Sequence, residues 1–285
     1  MDLFKRKTSK AERELRKLLG NTEFPHVPQV AMRILQKLRD PESDFDEVAE
    51  CLRWDPALVV KVLSTVNSAA YGTSVRIEDV RHAVSFLGRA HLEQLVIALA
   101  VKDCLPAGEA PGFCQERFWQ AAAMRAALGR CIALELHPAR SSEAFTAGLL
   151  QDMAVPVLAH AMPERYGPIL EAWHDEGGVR LSDLEQEAFG WTHADVGAQL
   201  GATWELPDSL VQAIGHHHCD SSTDWDVSPA IRLVALLRET RAEHGIEAMV
   251  EEARDSYGLT PDWTRHAVEE CETHARELAA MLLGS

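Results

Sequence analysis

The chain has 285 residues, of which 46% are hydrophobic and 25% are charged, and this composition is typical of a folded globular protein with one large core or two modest ones. The formal net charge of −16 opposes binding to nucleic acid unless basic residues are segregated on one face. We therefore expect no nucleic-acid partner.

Compartment and membrane association are predicted from the cysteines and the apolar runs. The six cysteines form no CxxC pair, which is typical of small apolar residues in a reducing cytosol. The longest apolar run, Leu95 to Val101, is too short to cross a bilayer, and no apolar segment of signal-peptide type follows the basic start. We expect a cytoplasmic protein without a membrane span.

Residues 1–20 carry the main basic cluster of the sequence. Leu3, Phe4, Leu15, Leu18 and Leu19 alternate with its basic residues, which predicts a basic amphipathic helix. The favoured interpretation is a solvated helix face, and contact with an anionic partner or membrane surface is the alternative. The basic residues are Lys5, Arg6, Lys7, Lys10, Arg13, Arg16 and Lys17.

Helical periodicity continues through the first half of the chain. A helix that has Pro28 in its first turn stops at Asp40-Pro41. Asp44 is placed to cap the second helix, and Asp55-Pro56 repeats this signal for the third. Gly88 ends a short helix and separates it from another that contains Leu92 to Leu99.

The clearest linker is Pro106–Gly112, and a long alanine-rich helix over Phe113–Leu136 is predicted after it. We predict an all-α fold with two packed lobes, an N-terminal helical lobe over residues 21–107 and an HD-like helical bundle with C-terminal helices over residues 108–285. The later helices are predicted at Ser142–Ala159, Glu164–His174, Leu181–Phe189, Ala194–Ala202 and Asp208–His218, with two or three more in Ser228–Leu283.

Four polar residues of the second half are candidates for chemistry: Asp152, His193, His217 and His218. Asp and His at helix positions in a bundle are a ligand set that transition metals use. Each also has an ordinary interpretation. Asp152 could be a surface acid, His193 a hydrogen-bonded core residue, and the His216-His217-His218 triplet a polar helix end.

Several short motifs together resemble the HDOD family, the bacterial "HD-related output domain". They are Phe24-Pro25-His26-Val27-Pro28, Asp55-Pro56-Ala57-Leu58, Asn67-Ser68-Ala69-Ala70-Tyr71-Gly72, Ala83-Val84-Ser85-Phe86-Leu87-Gly88, Phe118-Trp119 and Phe145-Thr146-Ala147-Gly148-Leu149-Leu150. The resemblance runs from about Phe24 to Leu237. It assigns a structural role to Pro25, Pro28, Asp55, Pro56, Asn67, Ser68, Tyr71 and Gly72, and we expect Gly72 to close a helix with positive φ.

The resemblance also implies kinship with HD-type phosphohydrolases, whose two metal ions activate water and polarise a phosphoryl oxygen. Three ligand positions of those enzymes are lost here, where Ala121, Gln151 and Leu236 stand. Asp152, His193, His217 and His218 match the remaining positions. We expect them to persist as a polar network without a cofactor, and a single transition-metal ion is the alternative.

The function implied by the resemblance is a non-catalytic bacterial signal-transduction module. It would bind a protein partner, and we suspect the surface between the lobes as the binding site. Two alternatives remain open: a residual mononuclear metal-dependent phosphohydrolase, and a nucleotide-binding sensor without catalysis. A glycine-rich phosphate loop is absent from the sequence, which weakens the sensor hypothesis, although helix N-termini can hold phosphate.

Overall fold

The computed structural model describes residues 28–67, 76–175, 179–219, 226–239 and 242–284. Within these ranges the regular structure is helical, and the one extended pairing among them is an isolated bridge between Ala110 and Phe113. The predicted all-α class is confirmed. The predicted helix over residues 1–20 lies outside the described residues, as do Pro25, Ser68, Tyr71 and Gly72 with its predicted left-handed turn.

The N-terminal helices are α1 (Gln29–Arg39), α2 (Phe45–Arg53), α3 (Pro56–Val66) and α4 (Val80–Cys104). Pro28 precedes α1 as its cap, not as a first-turn residue. The Asp44 carboxylate accepts from the amide of Glu47, and that of Asp55 accepts from Leu58, so both predicted caps are confirmed. Gly88, at φ 71°, kinks α4 where the sequence predicted a helix end.

Asn67 ends α3 and connects it to the segment before α4. Its amide nitrogen donates to the carbonyls of Leu63 at 2.8 Å and Ile77 at 2.7 Å. Its amide oxygen accepts from the Ile77 N–H at 2.7 Å. The structural role predicted for this residue therefore consists of three hydrogen bonds that close the helix end.

The C-terminal helices begin after the predicted linker, at Gln115. They are α5 (Gln115–Leu136), α6 (Ser141–Leu150), α7 (Ala154–Ala161), α8 (Pro163–Asp175), α9 (Leu181–Phe189), α10 (His193–Thr203), α11 (Asp208–His216), α12 (Pro229–Val234), α13 (Ala242–Tyr257) and α14 (Pro261–Leu283), with a 3-10 turn at Pro138–Arg140. The single helix predicted over Ser142–Ala159 is wrong: a turn at residues 151–153 divides it into α6 and α7.

Helix α5 is the centre of the C-terminal bundle and packs against α6, α12 and α14. The N-terminal helices join this bundle where α4 packs on α6, and the Thr146 hydroxyl donates to the Gln94 carbonyl at 3.1 Å. By length and composition alone α4 could cross a membrane, but 56% of its most apolar stretch is buried inside the protein. The division into lobes at residue 107 stays a prediction.

Candidate functional site

Asp152 lies in the turn between α6 and α7. The Met153 N–H donates to the Leu150 carbonyl at 2.9 Å, and the Val155 N–H donates to the Asp152 carbonyl at 2.9 Å. These two bonds close the turn tightly, and the side chain of Asp152 is only 14% exposed. The break in the helix therefore gives the carboxylate a fixed position among the helices of the bundle.

Arg125, on α5, neutralises one oxygen of that carboxylate. Its Nη2 lies 2.6 Å from Oδ2 of Asp152, and its Nη1 donates to the Leu237 carbonyl at 3.2 Å. Gly148 of α6 permits α6 to pack closely against α5, because a Cβ atom on Gly148 would lie 2.6 Å from the Arg125 carbonyl oxygen. Since the arginine side chain is only 2% exposed, its positive charge is an integral part of the site.

His193 begins α10 and is oriented by a second buried carboxylate, that of Glu185 on α9. Oε2 of Glu185 accepts from the backbone N–H of His193 at 2.8 Å and lies 2.7 Å from its Nδ1. The Tyr166 hydroxyl donates to Oε1 of the same carboxylate. This acceptor assigns the proton to Nδ1, so Nε2 of a neutral His193 carries a lone pair.

His217 and His218 follow the last turn of α11. Nδ1 of His217 lies 2.6 Å from the Ile214 carbonyl, an acceptor that likewise assigns the proton to Nδ1. Nε2 of a neutral His217 therefore faces the cluster with a lone pair. It lies 3.3 Å from Nε2 of His193 and 3.3 Å from Oδ1 of Asp152.

The four predicted residues meet at one point, with one donor atom from each within 4.8 Å of all the others. Oδ1 of Asp152 lies 3.4 Å from Nε2 of His193, and Nε2 of His218 lies 3.1 Å from the same nitrogen. Ligands at about 2.0–2.1 Å from a tetrahedral zinc ion are about 3.3 Å apart. Four of the six donor–donor separations match this value, so the residues fit one transition-metal ion.

The electrostatics of the cluster favour charged Asp152 and His193. Burial alone would raise the pKa of Asp152, but Arg125 and the two histidines hold it well below the usual range. Burial opposes the charged form of His193, yet Glu185 and Asp152 outweigh it and raise its pKa to about 10. Burial and the neighbouring histidines hold the pKa of His218 well below normal, so this imidazole is neutral.

A cavity of about 590 Å³ opens beside the cluster and is of a size that small molecules occupy. Asp152 and the three histidines form one end, and residues of α13 and the segment before it form the other. Glu239 lies in this wall of the cavity. Burial and the negative charge of Asp152 raise the pKa of Glu239 to about 7, although Arg125 opposes this shift. The cavity makes the cluster accessible to a small ligand.

The sequence did not predict a role for Arg125, Glu185 or Tyr166. Arg125 had a signal, because it is the one charged residue in the apolar run Ala121 to Leu128 of α5. A charge at that place in a core helix requires a buried partner. Glu185 lies eight positions before His193, and neither it nor Tyr166 stands out from the neighbouring polar residues.

The three positions predicted to lack the ligands of HD-type enzymes hold side chains with no charge. Gln151 is 1% exposed, so a neutral amide is buried next to Asp152 in the chain. Leu236 lies in the wall of the cavity, and Ala121 is half-buried on α5, one turn before Arg125. Arg125 is thus the charged group that α5 contributes to the cluster.

The chain matches the HDOD domain family over residues 24–219, more than half of its length. It therefore belongs to the HDOD family, which confirms the resemblance seen in the motifs. A protein of Treponema pallidum (strain Nichols) described as uncharacterized is 25% identical over 220 residues, 76% of this chain. The aligned region is 42% of that protein, so this chain spans less than half of its relative.

Two solved structures share the fold. One is a provisionally assigned phosphohydrolase of Shewanella amazonensis SB2B, with a TM-score of 0.74, 21% identity, and 94% of this chain and 98% of that chain covered. The other is a provisionally assigned signal transduction protein of Marinobacter aquaeolei VT8, with a TM-score of 0.70, 23% identity, and coverage of 94% and 61%. At these identities the likeness shows the fold alone.

Proposed function

We propose that this chain is a non-catalytic regulatory module that acts by binding a protein partner. The observation that carries the proposal is the ion pair between Arg125 and Oδ2 of Asp152 at 2.6 Å. In a two-metal hydrolase, each ion needs oxygen ligands of this kind to clamp the attacking and leaving groups. Here a guanidinium, which cannot lose its proton in a protein, holds the oxygen that a second ion would use.

The three positions that differ from HD-type enzymes also support a non-catalytic role. Ala121, Gln151 and Leu236 offer no ligand of the kind that HD-type enzymes use, and the arginine adds positive charge where a second ion would have to bind. Repulsion between a buried guanidinium and a nearby dication is severe in a site of low dielectric. The likeness to a protein described as a signal transduction protein agrees with a regulatory role.

The four donors still fit one divalent ion, and this is the specific observation that favours retention of a metal. Nε2 of His217 and Oδ1 of Asp152 lie 3.3 Å apart, close to the separation of two ligands on one tetrahedral ion. When bound, a single ion would supply Lewis acidity to a ligand in the cavity. We propose that its role here is to hold the helices together.

The partner surface is proposed from exposed apolar side chains of the N-terminal helices. Trp54, after α2, is 60% exposed, and Val60 on α3 is 63% exposed. Large exposed aromatic and aliphatic side chains are the usual anchors of protein interfaces. Val60 also borders a surface cavity between α3 and the segment before α4, together with Leu63 and Ile77.

Catalysis is tested with purified protein supplied with Mn²⁺, Mg²⁺ or Fe²⁺ and offered cyclic dinucleotides or simple phosphodiesters. We expect no turnover above that of Asp152→Ala, which lacks the central carboxylate. Metal-dependent hydrolysis that disappears in Asp152→Ala would overturn the non-catalytic proposal in favour of the mononuclear hydrolase.

Partner binding is tested by affinity capture with mass spectrometry, using wild type, Trp54→Asp and Leu134→Asp. Leu134 on α5 is a matched control because it is an exposed apolar residue, 46% accessible, on the C-terminal bundle. We expect one protein to be captured by wild type and Leu134→Asp and lost from Trp54→Asp. Equal capture by all three would contradict the proposed surface.

A further inference from the structure

Three arginines from separate parts of the described chain line the cavity beside the histidine cluster. Arg180 precedes α9 and is exposed, Arg232 lies on α12, and Arg238 follows α12. The last two are half-buried. They also lie beyond residue 219, where the match to the HDOD family ends, so the family assigns them no role. Guanidinium groups in a concave site are suited to bind carboxylate and phosphate groups, because their fork of N–H donors matches two oxygens at once.

Arg238 has a defined position in the cavity wall. Its Nη2 donates to the Trp173 carbonyl at 2.7 Å, and its guanidinium carbon lies 5.6 Å from the centre of the Trp173 ring. Helix α13 packs closely on the segment that carries Arg238, because a Cβ atom on Gly245 would lie 2.6 Å from the Leu236 carbonyl oxygen. The guanidinium is therefore held in place before any ligand binds.

The cavity wall carries more positive than negative charge, although the whole chain has a formal net charge of −16. Among the described residues, the acids of the wall are Asp152, Glu239 and Glu252. Asp152 is already paired with Arg125, which lies outside the wall. The three arginines therefore outnumber the two other acids even when both are ionised. A concave region of one sign raises the local concentration of small ions of the opposite sign.

We infer that this cavity binds a small polyanion, a molecule with two or more carboxylate or phosphate groups. Arg180, Arg232 and Arg238 hold its oxygens through charge-assisted hydrogen bonds. A ligand with several negative charges matches three guanidinium groups better than a monoanion does, and a cavity of about 590 Å³ accepts an organic molecule rather than a single inorganic ion. The inference goes beyond the proposed protein partner, whose surface includes Trp54 on the N-terminal helices.

Binding would connect the helices that carry the two sides of the buried cluster. Arg180 is the residue before α9, and α9 carries Glu185, which orients His193. Arg232 lies on α12, which packs against α5, the helix of Arg125. A ligand that contacts Arg180 and Arg232 together therefore links both sides, and it should stabilise the folded protein more strongly as its concentration rises.

Calorimetric titration of the untagged protein tests the inference with sodium pyrophosphate and sodium citrate as probes and with glucose as the uncharged control. Metal is first removed with a chelating resin, because soluble EDTA is itself a polyanion. We expect at least one probe to bind at one site per chain, to raise the melting temperature, and to bind more weakly in about 0.5 M than in about 0.05 M NaCl. Glucose should not bind. Selective binding of pyrophosphate supports a phosphate ligand, and selective binding of citrate supports a carboxylate ligand.

Arg180→Gln and Arg232→Gln should each weaken binding of that probe about tenfold, because each variant removes one charge-assisted pair. Arg254→Gln is the matched control, since Arg254 is an exposed arginine of α13 that pairs with Asp255 outside the cavity. This control and Trp54→Asp should bind like wild type, which separates the ligand from the protein partner. Binding of neither probe, or equal binding by wild type and Arg180→Gln, would overturn the inference. Because Arg180 is exposed, its variant decides the question even if Arg232→Gln does not fold.

Discussion

Removing Arg125 should be one of the most destabilising single changes in this protein. Arg125→Met keeps much of the side-chain volume but leaves Asp152 with a buried, unpaired carboxylate and the Leu237 carbonyl without its donor. Breaking a buried ion pair from one side costs about 3–5 kcal/mol. We expect a loss of free energy of unfolding within that range.

A double-mutant cycle separates the charge from the packing. Asp152→Asn removes the other partner, and the double variant leaves no unpaired charge. The double variant should therefore lose about 2 kcal/mol less than the sum of the two single losses. Urea unfolding followed by far-ultraviolet circular dichroism measures all four proteins, with EDTA present throughout so that metal binding does not contribute.

The control is Arg276→Met on α14, whose partner Glu272 is one turn away and whose side chain is 73% exposed. Exposed pairs of this kind contribute little, and we expect a change within about 0.5 kcal/mol. If Arg125→Met were as mild as this control, or if the cycle were additive, Arg125 would not neutralise Asp152 and the main support for the non-catalytic proposal would be lost.

Three further predictions concern the metal, the pH dependence and the end of α3. Untagged protein should contain about one equivalent of transition metal by elemental analysis, and EDTA should lower its melting temperature. Asp152→Ala should show neither property. Metal-free protein whose melting temperature does not respond to EDTA would instead indicate the polar network expected from the sequence. Glu239, with its pKa raised to about 7, should contribute a fall of about 2 kcal/mol in the free energy of unfolding between pH 5 and 8, because its contribution is full below its unfolded pKa and is lost as the pH rises to its folded pKa. His193, with its pKa raised to about 10, adds a further fall above its unfolded pKa. Glu239→Gln should remove the Glu239 part of the slope in urea titrations, and an unchanged slope would refute the assignment. Asn67→Ala should cost about 2 kcal/mol in the same assay, because it leaves the Ile77 amide unpaired, and a loss near zero would contradict that role.

The helices were largely predictable because their signals are local. The aspartates that cap α2 and α3, the proline at the start of α3, the glycine within α4 and apolar periodicity depend on neighbours within one or two turns. The turn at residues 151–153 was missed because apolar residues continue through it, so periodicity alone could not separate α6 from α7. That turn is what places Asp152 among the other helices.

The ligand set was found through motif resemblance, but its partners were not. Arg125 and Asp152 are distant in sequence, and only the close packing of α5 on Gly148 brings them together. Glu185 and Tyr166 orient His193 through hydrogen bonds that leave no pattern along the chain. Long-range pairing of buried charges is fixed by tertiary packing, and a single sequence carries no direct record of it.

The same packing explains how such a cluster can persist whether or not the protein catalyses a reaction. Each polar group of the cluster is buried and depends on another: Glu185 on His193 and Tyr166, His193 on Glu185 and Asp152, and Asp152 on Arg125. Replacing any one of them leaves a buried partner unsatisfied, which costs free energy before any activity is considered. The Arg125 guanidinium supplies the positive charge that the buried Asp152 carboxylate requires. The convergence of Asp152 with the three histidines is thus expected of a stable fold and does not by itself indicate an enzyme.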